Sequence, residues 1–219
     1  MYTVDVDFYH VINRGVEKRT VFMEDGDYVR FIHDMYVFND VKSAPNYVVK
    51  ERQGERKRDL LVHIHAFCLM PNHYHILLSP IKENGMSLFM KKVNMGYAKY
   101  FNEKYERTGV LWQGVFRKIL IRQDAHFMYI PYYIHLNPLD LKYPAWREGR
   151  VKDTKKAFSF LETYRWSSYL DYNGRKNFSS IIYTSVVGDV LQSRQKQERE
   201  ITTIISDENL ANQSFGLEI

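Results

Sequence analysis

His65-Ala-Phe-Cys-Leu-Met-Pro-Asn-His-Tyr-His-Ile-Leu-Leu78 is two apolar runs broken by Pro71-Asn72. Proline has no N–H to give to a central ladder, so the break reads as a tight turn between two strands, residues 60–70 and 73–79. A two-residue turn sets Met70 opposite His73 and Cys68 opposite His75. Opposed residues share a face of the sheet, and residues two apart on a strand leave the same face. His73 and His75 then stand together with Ala66 and Cys68, and two imidazoles so placed can hold one divalent metal. The other pair, His63 and His65, is expected on the opposite face, where it reads as packing or surface histidine; a three-residue turn would reverse the two faces.

Working outward, residues 6–14 are β-branched and aromatic and end at Gly15, which predicts a strand. Tyr28, Phe31, Ile32 and Met35 follow at helical spacing, with Asp27 as the expected N-cap. Residues 42–59 are charged and read as a solvated loop or protruding hairpin. Met90, Val93, Tyr97, Tyr100, Phe101 and Tyr105 mark the clearest helix, 87–105, with lysines on its other positions and Gly109 beyond its end. Residues 115–121 alternate as a strand, and Asp124 opens a helix running to about 136 that Pro131 must kink or delay. Residues 144–175 read as irregular, with a basic patch at Arg147, Arg150, Lys152, Lys155 and Lys156, and the chain from about 184 reads as helical before fading into polar residues.

Length and composition set bounds. The 219 residues, 45% of them hydrophobic, suffice for one full domain plus an appendage; the division expected is 1–175 and 176–219. A net charge of +5 is compatible with a polyanionic partner without requiring one. The single cysteine, Cys68, excludes a disulfide framework, reads as a small buried hydrophobe, and suits a reducing cytoplasm. The N-terminus lacks the basic and apolar regions of a signal peptide, and no run approaches the roughly 18 apolar residues of a membrane span. Neither a Walker A loop nor a dinucleotide fingerprint is present.

The second informative segment is Tyr133-Ile-His-Leu-Asn-Pro138. Tyr133 and Asn137, four apart, are neighbours on one helix face, and Tyr129 lies one turn earlier. Two imidazoles and one amide oxygen leave coordination positions open to phosphate oxygens. A metal there can polarise a phosphodiester, and attack by a tyrosyl oxygen yields a phosphotyrosine and a free 3′-hydroxyl. The bond energy is kept for rejoining, so no nucleoside triphosphate is needed.

His65-Ala-Phe-Cys-Leu-Met-Pro-Asn-His-Tyr-His75, Tyr97-Ala-Lys-Tyr-Phe-Asn102, Arg107-Thr-Gly-Val-Leu-Trp-Gln-Gly-Val-Phe116, Tyr133-Ile-His-Leu-Asn-Pro138 and Trp166-Ser-Ser-Tyr169 occur in this order. Over roughly residues 8–172 the chain closely resembles the IS200-like Y1 transposases of the HUH superfamily, especially the REP-associated tyrosine transposase branch. The resemblance implies an α+β fold, a ferredoxin-like antiparallel sheet with helices packed on it. It implies a metal-dependent enzyme that cuts and rejoins single-stranded DNA beside hairpins, with Tyr133 as nucleophile. His73, His75 and Asn137 match the metal-binding positions, and the ion implied is Mg²⁺ or Mn²⁺. Arg14, Lys18 and Arg19 match a basic segment after the first strand; with Arg107, Gln113, Arg117 and Lys118 they are expected to meet DNA phosphates, and Trp112 to stack on a base. The chain departs from the family after Asn137-Pro138, where Leu139-Asp-Leu-Lys-Tyr-Pro144 replaces a Val-Arg-Ala-Gly-type continuation.

The resemblance further implies a cytoplasmic, nucleoid-associated protein, monomer or homodimer. Two other functions compete: a DNA-hairpin-binding protein that has lost cleavage, and a metal phosphodiesterase that uses water. Tyr133→Phe separates the last from the strand transferase, because only the transferase needs the phenol.

Overall fold

The computed structural model describes residues 6–42 and 58–208; most of the charged stretch 42–59 lies outside them. Four strands, β1 (Phe8–Arg14), β2 (Val62–Met70), β3 (His73–Pro80) and β4 (Arg117–Ile121), form one sheet in the order β2-β3-β1-β4, every pair antiparallel. Helices α1 (Asp25–Phe38) and α2 (Gly85–Lys104) cover one face, where Val11, Phe67, Leu69, Tyr74, Ile76 and Leu78 meet Phe31, Met35, Phe89, Met90, Val93 and Tyr97. Helix α3 (Asp124–Leu136) covers the other, packing Ile130, Tyr133 and Ile134 on Ala66, Cys68 and Leu77. The architecture is α+β, an antiparallel sheet between two helical layers.

The expected hairpin register holds: Met70 pairs with His73 and Cys68 with His75 across the Pro71-Asn72 turn. The face expected for the other histidines does not. The register shifts between Ile64 and Ala66, and beyond that irregularity His63 stands opposite Ser79, a residue of the His73–His75 face. His65 bonds the Ser79 hydroxyl at 2.8 Å and packs on Phe8, while His63 stacks on Tyr183 at 3.8 Å. One extra residue in β2 therefore turns both rings toward the α3 side, where other partners hold them.

Helix α1 starts three residues earlier than expected. Glu24 is its N-cap, and Asp27, at the third helical position, closes a capping box. Asp27 is fully buried, and its carboxylate accepts from the Met23 N–H, Tyr100, Lys104 and Tyr105. The region read as irregular contains a regular helix, α4 (Thr154–Thr163), capped by Asp153, followed by the short α5 (Tyr169–Tyr172). Helices α6 (Val187–Leu191) and α7 (Arg194–Ser206), from the stretch expected to be an appendage, add Val187, Val190, Leu191, Ile201, Ile204 and Ile205 to the core beneath α3. Among the described residues no helix is long and apolar enough to cross a membrane.

The Trp166-Ser-Ser-Tyr169 motif closes the outer edge of β2. Leu69 N–H donates to the Trp166 carbonyl at 2.9 Å, and Ser168 N–H to the Phe67 carbonyl at 3.0 Å. The Ser168 hydroxyl accepts from Phe67 N–H at 2.9 Å and meets His135 Nε2 at 2.7 Å, which ties α3 to the strand it covers.

Candidate active site

The hairpin turn, the end of β1, the last turn of α3 and the segment after it enclose a pocket of about 220 Å³ lined by Arg14, Lys18, Asn72, His73, His75, Tyr133, Asp140 and Arg147. The backbone brings these parts together. The Asn72 carbonyl accepts from Gly15 N–H at 2.8 Å, and the Pro71 carbonyl from Val21 N–H at 2.8 Å. Gly15 is required there, since a Cβ would sit 2.4 Å from the Arg19 carbonyl oxygen. Glu17 and Lys18 are held at φ of 56° and 58°, an uncommon conformation that places Lys18 on the rim.

The two imidazoles are 4.9 Å apart, ring centre to ring centre. Asn72 Oδ1, which can only accept, is 2.6 Å from His73 Nδ1, and Asn72 Nδ2 donates to the Lys18 carbonyl. His73 thus carries its proton on Nδ1 and keeps an open lone pair on Nε2. His75 Nδ1 is 2.9 Å from Nε2 of His10, a fully buried residue of β1. Burial pushes His73 down to about 4 and His10 down to about 3, and holds His75 well below its ordinary value, so all three are neutral at pH 7.

Tyr133 is the tyrosine of this pocket. Its ring stands edge-on to His75 at 5.6 Å and to His10 at 5.8 Å. Of the neighbouring tyrosines, Tyr132 is turned toward Glu200 of α7, where burial raises it to about 12, and Tyr129 lies 6.3 Å from Tyr133 outside the pocket lining. Asn137 is fully buried at the end of α3; its Nδ2 donates to the Tyr133 carbonyl at 2.8 Å and its Oδ1 accepts from Arg147 Nη2 at 3.0 Å.

Arg147 and Asp140 complete the site, and neither stood out in the sequence. Arg147 donates to Asp140 through Nε at 2.8 Å and Nη2 at 2.6 Å, while Trp146 Nε1 holds the same carboxylate at 2.6 Å. The guanidinium lies 5.5 Å over the Tyr133 ring and 4.6 Å over Trp146, and it also engages the Tyr133 phenol. The available signal was Asp140 at the position where the family pattern carries a basic residue: a reversed charge there calls for a basic partner elsewhere.

Other expected DNA contacts divide. Arg14 reaches the pocket and donates to Gln113 at 2.5 Å. Gln113 and Lys118 line an adjoining apolar groove with Met95, Val110 and Val115. Arg117 and Lys118 are exposed on the edge strand β4, and Arg19 is half-buried after the turn. Arg107 is engaged by Asn102 at 2.7 Å. Trp112 is packed among Phe31, Tyr74 and Tyr97, with Nε1 donating to the Asn94 carbonyl; most of it is core, and the rest lines the groove beside Gln113.

Two neutral imidazoles are borderline donors that lean toward Mn²⁺, and Mg²⁺ would fit only with water and phosphate oxygens in its other positions. Two neutral imidazoles share one face, and among the described residues no group of three or more His, Cys, Asp or Glu surrounds a common point. The Asn137 oxygen and the Asp140 carboxylate beside this pocket are both held by Arg147 in this structure.

A search of curated proteins gives no match. Among solved structures, a REP-associated tyrosine transposase bound to a REP hairpin is similar over 85% of this chain and 90% of its own, with TM-score 0.51 and 14% identity, a likeness of fold. A transposase candidate from Deinococcus radiodurans R1 aligns over 61% of this chain and 92% of its own, with TM-score 0.38 and 14% identity. The family described as "Transposase IS200 like" matches residues 8–137, more than half of the chain, including the first strand, the paired histidines and the helix that carries Tyr133; the chain belongs to the IS200-like transposase family.

Proposed function

We propose that this transposase is a tyrosine strand transferase of the REP-associated branch, acting on single-stranded DNA beside hairpins. The observation that carries the reading is the convergence of Tyr133, His73 and His75 on one pocket rimmed by Arg14, Lys18 and Arg147. The REP hairpin bound to its structural neighbour supports the choice of substrate.

His73 and His75 would hold Mg²⁺ or Mn²⁺, and the Asn137 oxygen, which has a second lone pair besides the one that accepts from Arg147, would be the third protein donor. The bound ion would polarise the scissile phosphate and neutralise charge building on its oxygens. Arg14 and Lys18 position the backbone through the phosphates next to the break. The Tyr133 oxygen attacks phosphorus; the P–O bond to the 3′-oxygen breaks, the phenol proton leaves to solvent, and the 3′-oxygen takes a proton. The product is a 5′-phosphotyrosine and a free 3′-hydroxyl, and reversal with a different 3′-hydroxyl rejoins DNA. Arg147, beside the phenol, sits where negative charge gathers during attack. Helices α6 and α7 brace α3 from below.

The test is incubation of labelled single-stranded hairpin DNA from the gene's flanks with Mg²⁺ or Mn²⁺, followed by a denaturing gel. The expected result is a protease-sensitive DNA–protein adduct that disappears in Tyr133→Phe and His73→Ala. Cleavage that persists in Tyr133→Phe without an adduct would establish a water-using phosphodiesterase instead. Hairpin binding with no cleavage would establish a recognition protein.

A further inference from the structure

We propose that His10 is the positioning residue that holds His75 in its metal-binding tautomer, as Asn72 holds His73. The inference rests on the metal-binding reading of His73 and His75.

A neutral imidazole has one N–H and one lone pair, and the nitrogen that binds a cation must offer the lone pair. For His75 the pocket-side nitrogen is Nε2, since Nδ1 is taken up by His10 at 2.9 Å. His75 must then carry its proton on Nδ1 and donate it to His10 Nε2. The partner suits the task. His10 is fully buried, stacks on His75 at 5.1 Å with ring planes 17° apart, and meets Tyr133 edge-on. His75 and Tyr133 pack its ring from two sides and hold the acceptor toward His75.

The arrangement has a cost that a purely structural histidine would avoid. His10 Nδ1 is buried and has no hydrogen-bond partner among the described residues. If His10 donated to His75, that orphaned atom would be a bare lone pair and His75 Nε2 would carry a proton toward the pocket, closed to metal. If His75 donates, the orphan is an N–H, the more costly group to bury unpaired. With His75 as the donor, its Nε2 lone pair already faces the pocket and His10 bears its own proton on Nδ1, so the pair stands in the metal-binding arrangement before an ion arrives. The proton count of the pair is the same in both arrangements, so binding through this pair requires no net proton release from it.

Metal ligands commonly owe their orientation to such outer partners, whose loss weakens metal binding by about 10–100-fold. The test is Mn²⁺ titration calorimetry on wild type, His10→Phe and His10→Gln, joined to two-bond ¹H–¹⁵N spectra of the Mg²⁺-loaded, ¹⁵N-histidine-labelled wild type. His10→Phe keeps the ring and removes the acceptor; the expected result is Mn²⁺ affinity weaker by about 10–100-fold. His10→Gln restores an acceptor, and recovery to within about threefold of wild type is expected. The spectra should show His75 and His10 both as Nδ1–H tautomers. Unchanged affinity in a folded His10→Phe, or His10 as the Nε2–H tautomer with Mg²⁺ bound, would overturn the inference alone. Failure of wild type to bind Mn²⁺ would overturn the metal reading and this inference with it.

Discussion

Replacing Arg147 by methionine keeps most of the side chain's bulk and removes its charge and all its donors. Two losses follow and can be sized separately. Asn137 Oδ1 is buried and accepts from Arg147; leaving such an acceptor unsatisfied costs about 1–3 kcal/mol. Asp140 is 28% exposed, so water replaces its partner and the ion pair itself contributes only about 0.5–1 kcal/mol. The expected destabilisation is about 2–4 kcal/mol, read as a lower urea midpoint at unchanged slope. Activity should suffer more. A single preorganised donor at a site of developing negative charge commonly contributes a factor of about 10²–10³. Single-turnover adduct formation on hairpin DNA, measured where Arg147→Met is fully folded, should fall by about 100-fold or more. Arg147→Lys keeps the charge and cannot bridge Asn137 and Asp140 together, so its rate should lie between the two. An Arg147→Met protein that forms adduct within threefold of wild type, while Tyr133→Phe forms none, would refute the role.

The buried Asp27 node makes a stability prediction: Asp27→Ala removes the capping box and the acceptor shared by Tyr100, Lys104 and Tyr105, while Lys104 keeps Glu24, at a cost of about 2–4 kcal/mol by urea unfolding, and Asp27→Asn costs less because it keeps an acceptor. A loss below about 1 kcal/mol in Asp27→Ala would contradict the node. Burial raises Asp34 from 3.8 to about 6, so the folded chain holds that proton more tightly than the unfolded one and loses stability as pH rises from about 4 to about 6. Asp34→Asn should therefore stabilise the protein by about 1–3 kcal/mol at pH 7.5 and not at pH 4, and equal effects at the two pH values would refute this. Gly149 sits at φ 63° with its missing Cβ direction 2.2 Å from the Asp207 backbone, so Gly149→Ala should lower the urea midpoint and open the end of α7 to limited proteolysis.

The sheet and its register were legible because proline and a two-residue turn leave the strands little choice, and the spacing of Tyr133 and Asn137 survives on a real helix. The face of His63 and His65 was not legible, because a register shift in β2 has no residue signature in that run. Arg147 was visible only as one cation in a basic patch; its place depends on two 3₁₀ turns, Asn137–Leu141 and Pro144–Glu148, that fold the chain back over Tyr133. His10 looked like any histidine in a strand, since nothing local separates a ring that meets solvent from one that meets His75. Trp112 could be read in the sequence as a base-stacking residue or as core, and tertiary packing makes it mostly core.

Asn72 gives the hairpin turn a meaning that turn propensity does not measure. Asn-Gly would form a tighter connection between two such strands. It would also delete the oxygen that fixes His73 and the amide that grips Lys18. The turn is retained for what its side chain holds, at the expense of how well it turns. Anyone grafting the His-Tyr-His strand onto another sheet would have to carry the turn, residues 10–18 and their mutual contacts as one piece; the transferable unit is a three-part clasp, of which the familiar motif is one jaw.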